Sequence, residues 1–174
     1  MNNLPALLEA LLLAAGEPLS RARLAEILGD EVDAAMLDQG LSMLAASYAE
    51  RGIELIEVAS GFRLQATGRF APWLAKLQPQ RPPRYSRAVL ETLALIAWKQ
   101  PITRAEIEAI RGVSINPQIL KTLSERGWIQ SVGKRETPGR PELLGTTRQF
   151  LDDFGLKNLD HLAQHLFKLD EKVE

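Results

Sequence analysis

Hydrophobic residues at the start of the chain recur at spacings of three and four, the pattern of amphipathic helices that bury one face. The first predicted helix ends near Gly16, and the second begins at Ser20, a residue type that caps helix N-termini. Glycine favours the left-handed conformation that often follows a helix, so the second helix is predicted to end at Gly29 and the third at Gly52. The predicted inward positions are Leu4, Leu7, Leu8, Leu11 and Leu12, then Leu24, Ile27 and Leu28, then Leu37, Leu41, Leu44 and Tyr48.

A β-hairpin is predicted after these helices, because the hydrophobic period shortens from about 3.6 to about 2. The pair Ser60-Gly61 separates its two strands. The alternating apolar positions are Ile53 and Leu55 before the pair, then Phe62, Leu64 and Ala66 after it. Three helices followed by a hairpin is the order of a winged-helix domain, in which the third helix and the hairpin, or wing, flank one surface.

Part of this pattern occurs twice in the chain. The segment EPLSRARLAEI at 17–27 has a near copy, QPITRAEIEAI at 100–110, which lies 83 residues further on. A second pair follows, with AERGI at 49–53 and SERGW at 124–128. A period of about 80 residues is too long for a solenoid repeat, so it predicts two duplicated small domains. Matched positions include Pro18 with Pro101, Ser20 with Thr103, Arg21 with Arg104, Leu24 with Ile107, Ile27 with Ile110 and Gly29 with Gly112.

The second copy carries stronger helix signals than the first. Thr103 and Glu106 have the spacing of a capping box, in which two side chains satisfy the free backbone donors at a helix start. Asn116 followed by Pro117 opens a third helix, and Gly127 ends it. A hairpin then runs through WIQSV and ELLGT, with GKRETPGRP at its tip. The predicted inward positions of the helices are Val89, Leu90, Leu93, Ile96 and Ala97, then Ile119, Leu120 and Leu123.

The predicted fold class is mainly α with small β-hairpin wings (α+β), arranged as two tandem winged-helix domains. The domains are predicted at 1–77 and 86–156. Between them the linker 78–85 is rich in proline and arginine, and proline favours an extended spacer over a helix. A helical tail is predicted at 157–174.

Composition and charge restrict the location and the kind of partner expected for the protein. The chain has no cysteine, which excludes a disulfide framework, and no apolar run approaches the roughly 20 residues of a membrane span. No signal peptide is recognised at the start, so a cytoplasmic location is expected. Residues 1–80 carry a net charge of −4, residues 81–150 of +6 and residues 151–174 of −3. The middle of the chain is therefore expected to meet an anionic surface, of nucleic acid or of an acidic protein segment.

Candidate catalytic and metal-binding residues are few. His161 and His165 have the i, i+4 spacing of a shared metal site, but the sequence offers no clear third ligand. The neighbours Asp152 and Asp153 point in different directions on a helix. The chain contains no phosphate-binding glycine motif and no serine in a G-x-S-x-G turn. We therefore expect neither enzymatic activity nor a cofactor or metal.

The basic wing tip of the second domain is the most specific remaining feature, with Lys134, Arg135 and Arg140 among glycines and prolines. A DNA-binding winged helix also needs a basic third helix for the major groove. The third helix here has only Lys121 and Arg126 as cations. This pattern favours a protein partner over a specific DNA site.

The strings LETLALIAWKQPITRAEIEAIRGVS, LSERGWIQSVGKRETPGRPELLGTT and FLDDFGL closely resemble the bacterial segregation and condensation protein B family. Members are winged-helix accessory subunits of the condensin complex. The resemblance implies a nucleoid-associated homodimer, formed through the first domain, that supports chromosome condensation and segregation and hydrolyses nothing itself. It also implies that the second domain binds the kleisin subunit, segregation and condensation protein A. The kleisin in turn bridges the heads of a structural maintenance of chromosomes ATPase.

The resemblance also suggests partner-binding residues. The family's wing motif falls on Pro138, Gly139, Arg140 and Pro141, and the segment after its second-helix cap includes Arg104. Arg140 can pair with a carboxylate through two hydrogen bonds. Thr103 and Glu106 are interpreted as structural, and Trp98 and Trp128 as core residues. The residues expected to bind the partner are Arg104, Arg135, Gly139, Arg140 and Pro141.

Two alternatives remain open from the sequence. One is a dimeric winged-helix transcriptional regulator that binds DNA, although direct DNA contact is expected to be weak. The other is a structural scaffold that binds neither DNA nor the kleisin directly. Affinity that comes from phosphate contacts falls steeply with salt, which distinguishes the regulator from a protein-binding subunit.

Overall fold

A computed structural model describes residues 3–77 and 85–162 of the chain. The chain divides into two compact units, Met1–Arg81 with Gly155–Asn158, and Pro82–Phe154 with Leu159–Glu174. Most of the predicted linker 78–85, the tail beyond residue 162 and His165 lie outside the described residues. The two groups are referred to below as the first unit and the second unit.

The first unit contains three helices, a hairpin and a fourth short helix. Single turns of 3₁₀ helix occur at Gly29–Glu31 and Gly68–Phe70. The elements are α1 (Leu4–Ala15), α2 (Arg21–Leu28), α3 (Ala34–Ser47), β1 (Ile53–Val58), β2 (Gly61–Ala66) and α4 (Ala71–Leu77).

Side-chain caps begin the three main helices of the first unit. The carboxamide of Asn3 accepts a hydrogen bond from the Ala6 N–H at 3.3 Å. The predicted N-cap Ser20 is confirmed, since its Oγ accepts from the backbone N–H of Arg23 at 3.2 Å. The prediction that α3 ends at Gly52 is wrong, because α3 ends at Ser47. The chain already turns at Tyr48, whose N–H donates to the carbonyl of Ala45 at 3.2 Å.

The core of the first unit is formed by leucines from all three helices, with Leu8 and Leu24 fully buried. A Cβ atom on Gly40 of α3 would lie 2.9 Å from Cδ1 of Leu8, so glycine permits the close packing of α1 on α3. Leu7 and Ile27 were predicted to face inward but are 38% and 42% exposed. The core-facing line of α1 is Leu4, Leu8 and Leu12, which leaves Leu7 about 100° away around the helix.

The hairpin of the first unit pairs β1 with β2 in antiparallel register. Val58 lies opposite Gly61, so the turn consists of Ala59 and Ser60 and comes one residue before the predicted Ser60-Gly61 pair. Gly61 has a φ of 141°, and a Cβ there would lie 2.2 Å from the carbonyl oxygen of Leu19. Glycine is therefore required where β2 approaches Leu19, whose N–H donates to the Phe62 carbonyl at 2.9 Å.

Residues 155–158 group with the first unit, whereas 155 and 156 were predicted in the second domain and 157 and 158 in the tail. The Ala59 N–H donates to the carbonyl of Leu156 at 3.0 Å, and the Leu156 side chain is buried. Lys157 Nζ contacts Glu57 Oε2 at 2.7 Å. Hydrophobic spacing along the chain contains no signal for such long-range contacts.

The second unit repeats the order of helices and hairpin and adds a two-residue strand. Its elements are α5 (Arg87–Lys99), β3 (Ile102–Thr103), α6 (Arg104–Arg111), α7 (Pro117–Glu125), β4 (Ile129–Lys134), β5 (Glu142–Thr146) and α8 (Arg148–Asp153).

The strands of the second unit form an antiparallel sheet in the order β3-β5-β4. Ile102 pairs with Leu144, which fixes the start of α6 against the wing. Gln100 supports this junction, because its Oε1 accepts a hydrogen bond from the Thr146 N–H at 2.7 Å. Strand β3 was not predicted, since two residues are too few to show an alternating pattern.

The predicted caps of the second unit are confirmed. Thr103 Oγ1 accepts from the Glu106 N–H at 3.3 Å, and Glu106 Oε2 accepts from the Thr103 N–H at 2.8 Å, which completes the capping box. Asn116 Oδ1 accepts from the Gln118 N–H at 2.9 Å, with Pro117 as the first helical residue. Gly127 follows α7 at a φ of 69°.

The two copies of the duplicated segment have the same pattern of burial. Leu24 in α2 and the matched Ile107 in α6 are both 0% exposed. The matched pair Ile27 and Ile110 are both exposed, by 42% and 54%. Each helix also begins at a matched Ser or Thr cap and ends at a matched glycine. The predicted fold class of two tandem winged-helix domains is confirmed.

The two tryptophans of the second unit differ in burial. Trp128 is 7% exposed and packs edge-on against Phe154, with 5.1 Å between ring centroids, as expected for a core residue. The prediction that Trp98 belongs to the core is wrong, because its side chain is 71% exposed. Ile96 and Ala97 occupy the buried face of α5, and Trp98 is the next residue around the helix. Leu90, also predicted to face inward, is 45% exposed.

Candidate partner-binding surfaces

The tip of the second wing is a tight turn between β4 and β5. The Arg135 N–H donates to the carbonyl of Pro141 at 2.9 Å, and the Arg140 N–H donates to the carbonyl of Thr137 at 2.8 Å. Gly139 and Arg140 have positive φ values of 84° and 39°, a backbone region that residues other than glycine seldom occupy. The predicted site residues Gly139 and Pro141 therefore shape the turn that presents Arg140.

Arg135 is joined to the helix start of α6. Its Nη2 donates to Glu106 Oε1 at 2.6 Å and to Glu106 Oε2 at 2.7 Å. Glu106 also completes the capping box with Thr103. The pKa of Glu106 is lowered first by the hydrogen bond from the Thr103 N–H, then by the Thr103 hydroxyl and by Arg135. Arg135 thus holds the wing against α6.

Arg104 braces the loop between α6 and α7. Its Nε donates to Glu108 Oε1 at 2.9 Å, and its Nη2 donates to the carbonyl of Ile115 at 2.8 Å. Glu108 Oε1 in turn accepts from the Ile115 N–H at 2.9 Å. This backbone hydrogen bond and then Arg104 lower the pKa of Glu108. The Ile115 side chain is buried, so Arg104 stabilises a packed loop.

The structure does not bring the predicted arginines onto one anion site. Arg104 and Arg135 pair with different carboxylates of the same unit. Arg140 has the most available guanidinium of the three, with a side chain 70% exposed and a distance of 3.4 Å to Glu136. The assignment of Arg104, Arg135, Gly139, Arg140 and Pro141 to partner binding stays a prediction.

An apolar groove between α5 and α6 was not predicted from the sequence. Its volume is about 560 Å³. Trp98, Ile110 and Val113 at its walls are 71%, 54% and 56% exposed. The signal available in the sequence was that Trp98 and Ile110 are apolar but fall off the core-facing line of their helices. The lining residues are Glu91, Ala94, Leu95, Trp98, Ile110, Arg111 and Val113.

A second apolar surface lies on α4 of the first unit. No residue of α4 is buried, and its large apolar side chains Trp73 and Leu77 are 62% and 78% exposed. Phe70, just before the helix, packs edge-on against Trp73 with 6.2 Å between ring centroids. Phe70, Trp73, Leu74 and Leu77 have the spacing of an amphipathic stripe, and a helix of this length is marginal without packing.

Clusters of metal-binding side chains and membrane-spanning helices are both absent from the described residues. Within 3–77 and 85–162 no group of three or more His, Cys, Asp or Glu side chains could hold a metal ion. His165, the candidate partner of His161, lies outside that part of the chain. No helix in the same part is long and apolar enough to cross a membrane. The surfaces that stand out are apolar and basic, and they are suited to contacts with other proteins.

Fold and surfaces together define a tandem winged-helix protein with exposed apolar faces on both units. Residues 6–165 match the family model described as Segregation and condensation complex subunit ScpB. The chain therefore belongs to the segregation and condensation protein B family, as its motifs predicted.

Related proteins match most of this chain. The Segregation and condensation protein B homolog of Coxiella burnetii is 48% identical over 170 residues, which cover 96% of this chain and 81% of that protein. The Segregation and condensation protein B of Moorella thermoacetica is 46% identical over 163 residues, which cover 92% of this chain and 82% of its own. A crystal structure of ScpB from Mycobacterium tuberculosis is 34% identical and covers 89% of this chain and 96% of that one, with a TM-score of 0.41.

Proposed function

We propose that this protein is a non-enzymatic accessory subunit of a bacterial condensin complex. In that role it binds the kleisin, segregation and condensation protein A, and through it the structural maintenance of chromosomes ATPase. It supports chromosome condensation and segregation on the nucleoid, in the cytoplasm. The observation that carries the proposal is the family match over residues 6–165.

The exposed surfaces support a role in binding proteins. An unfolded kleisin segment can wrap a large surface and become ordered on binding. The net charge of +6 over residues 81–150 would attract an acidic segment to the second unit. On this account the protein acts passively, because it orders a flexible segment and so sets the geometry of the ATPase ring.

A homodimer formed through the first unit is part of the proposal. The apolar stripe of α4 supports it, since large exposed apolar side chains at helical spacing mark an interaction surface. A symmetric dimer uses the same patch on both copies, so one stripe can pack against its own counterpart. Two copies would then hold one kleisin chain.

The DNA-binding alternative has weaker support. The third helix of the second unit, α7, would have to enter the major groove. Its Lys121 Nζ lies 3.7 Å from Glu125 Oε1, and Arg126 stacks on the ring of Tyr85. These cations are therefore engaged within the unit, and we do not propose a sequence-specific regulator.

Affinity capture from the protein's own bacterium tests the proposed function. The tagged full-length chain is recovered from nuclease-treated lysate at moderately high salt, and its partners are identified by mass spectrometry. We expect the kleisin and its ATPase. If neither protein is recovered, and the chain instead retains a defined DNA fragment from untreated lysate, the DNA-binding regulator replaces this proposal.

A further inference from the structure

We infer that the groove between α5 and α6 is the docking site for an amphipathic helix of the kleisin, with an acidic side chain directed at Lys99. The inference rests on the proposed function, and it places the main apolar contact beside Trp98 rather than at the wing tip.

Three large exposed apolar side chains meet at this groove. Trp98, Ile110 and Val113 are all more than half exposed, and they line one continuous cleft with Ala94 and Leu95. An exposed tryptophan in such a cleft has the features of a binding hot spot, because its large rigid side chain loses little entropy on burial. Burial of these side chains against a partner would remove the apolar surface from water.

The groove fits a helix better than an added strand. Its lining side chains come from α5, α6 and the residue that follows Gly112, so the groove offers side chains rather than free main-chain donors and acceptors. Strand addition needs an unpaired sheet edge, whereas an amphipathic helix inserts apolar residues at i, i+3, i+4 and i+7 into such a cleft. Ala94 in the groove leaves space for a bulky side chain of the partner.

Lys99, which follows Trp98 next to the groove, favours an acidic side chain on the partner. The Lys99 Nζ lies 3.9 Å from the centroid of the Trp98 ring, and no carboxylate pairs with it among the described residues. The other charges around it are paired, with Arg111 3.2 Å from Glu91 and Arg135 2.6 Å from Glu106. Lys99 is therefore the cation at this surface that is available to a carboxylate.

A smaller cleft of about 370 Å³ continues the surface towards the wing. Ile110 lines both clefts, and Lys99 and Arg135 line the smaller one. A helix that follows the groove would therefore place its acidic end over Lys99. This position next to the wing would allow the same partner to contact Arg140.

Titration calorimetry of full-length variants with the purified kleisin of the same bacterium tests the inference. Trp98→Ala and Val113→Asp should each weaken binding by about tenfold or more. Val132→Asp is the matched control, since Val132 is 50% exposed in the same unit but lines neither cleft, and it should change affinity by less than about threefold. Circular dichroism and thermal unfolding establish that each variant is folded.

Lys99→Glu separates the charge contribution from the apolar one. It should weaken binding by about tenfold at roughly 50 mM salt and by less at higher salt, because screening reduces the repulsion from an acidic helix. An unchanged kleisin affinity in Lys99→Glu would overturn the proposal that the bound helix directs an acidic side chain at Lys99.

Three results would overturn the assignment of the groove as the kleisin docking site. The first is wild-type affinity in Trp98→Ala and Val113→Asp, which would leave the proposed function intact. The second is an equal loss in Val113→Asp and Val132→Asp. The third is a change in the molar mass of the free protein on Trp98→Ala, because the occupant would then be a second copy of this chain. Failure of the wild-type protein to bind the kleisin at all would remove the proposed function as well.

Discussion

Glu106 holds together three parts of the second unit. Its carboxylate accepts hydrogen bonds from the Thr103 N–H at 2.8 Å and from Arg135 at 2.6 Å, and its own N–H donates to Thr103 Oγ1. The start of α6, strand β3 and the wing therefore meet at one side chain. Because the hydrogen bonds from Thr103 and then Arg135 to the carboxylate favour its ionised form, the pKa of Glu106 lies below its usual value of 4.5.

Stability of the second unit should consequently decrease in acid. A carboxylate with a lowered folded-state pKa contributes stability that is present above its unfolded pKa, and this stability is lost as pH falls through the folded value. Glu106→Gln should therefore flatten the dependence of the unfolding free energy on pH below about pH 5, as measured by urea denaturation. Glu142→Gln, which removes an exposed carboxylate from β5, is the control. A profile for Glu106→Gln as steep as that of the wild type would contradict this account.

Arg140 can be separated from Arg135 by substitution. Arg140→Ala should weaken kleisin binding several-fold with an unchanged unfolding midpoint, because its side chain is 70% exposed. Arg135→Ala should lower the midpoint as well, since it releases Glu106. Calorimetry and thermal unfolding of the two variants check this distinction. If Arg140→Ala binds as well as the wild type, the wing tip is not a contact.

At the scale of elements, the duplicated helices α2 and α6 use matched positions for the same tasks. Ile107 is fully buried, whereas Ile110, three residues later, is 54% exposed and lines the groove. The first position serves the core and the second is free to serve a partner. Leu24 of α2 is likewise buried and Ile27 likewise exposed.

This division predicts that two nearby substitutions affect different properties, one the stability of the unit and the other the affinity for the kleisin. Ile107→Ala should lower the free energy of unfolding by about 2–5 kcal/mol, because it leaves a cavity in the core. Ile110→Ala should lower it by less than about 1 kcal/mol but should weaken kleisin binding. Chemical denaturation and calorimetry measure the two quantities. A loss of stability in Ile110→Ala as large as that in Ile107→Ala would refute the assignment.

Features governed by local chemistry were predictable from the sequence, and features governed by long-range packing were not. The cap at Ser20, the Thr103–Glu106 capping box and the Asn116-Pro117 helix start depend on neighbours along the chain, and the structure confirms all three. Strand β3 exists only because a distant strand pairs with it, and the hydrophobic pattern of the sequence does not predict it. The orientation of Trp98 depends on which face of α5 the other helices cover.

The candidate site was less predictable than the fold for a related reason. Arg104 lies four residues before Glu108, so their pairing could be expected from helical spacing, whereas the partner of Arg135 could not. In the folded chain, Glu108 and Glu106 lie within hydrogen-bond distance of them. Arg135 and Glu106 are 29 residues apart, so their pairing follows from the tertiary fold. The groove has the same origin, because its walls come from two helices.

At the scale of the whole molecule, the duplication supplies two similar units with different exposed surfaces. The first unit exposes the stripe of α4, and the second exposes the groove beside Trp98. One unit can therefore serve self-association while the other serves a partner.

Substitutions on α4 test the self-association of the first unit. Leu77→Asp should convert the proposed dimer to a monomer in light-scattering measurements, because it places a charge in the apolar stripe. Leu13→Asp is the control, since Leu13 on α1 is 74% exposed against 78% for Leu77. If Leu77→Asp leaves the molar mass unchanged, or if Leu13→Asp lowers it equally, α4 is not the dimer contact.

Calorimetry of this chain with the kleisin of the same bacterium shows whether the protein is a kleisin-binding subunit. We expect two copies of this chain per kleisin, and an affinity that falls by no more than about tenfold between about 50 and 200 mM salt, because screening weakens only the acidic contact. Phosphate contacts behave differently, since six of them would lose roughly a thousandfold in affinity over that range. Absence of kleisin binding, together with such steeply salt-dependent binding to DNA, would contradict the account.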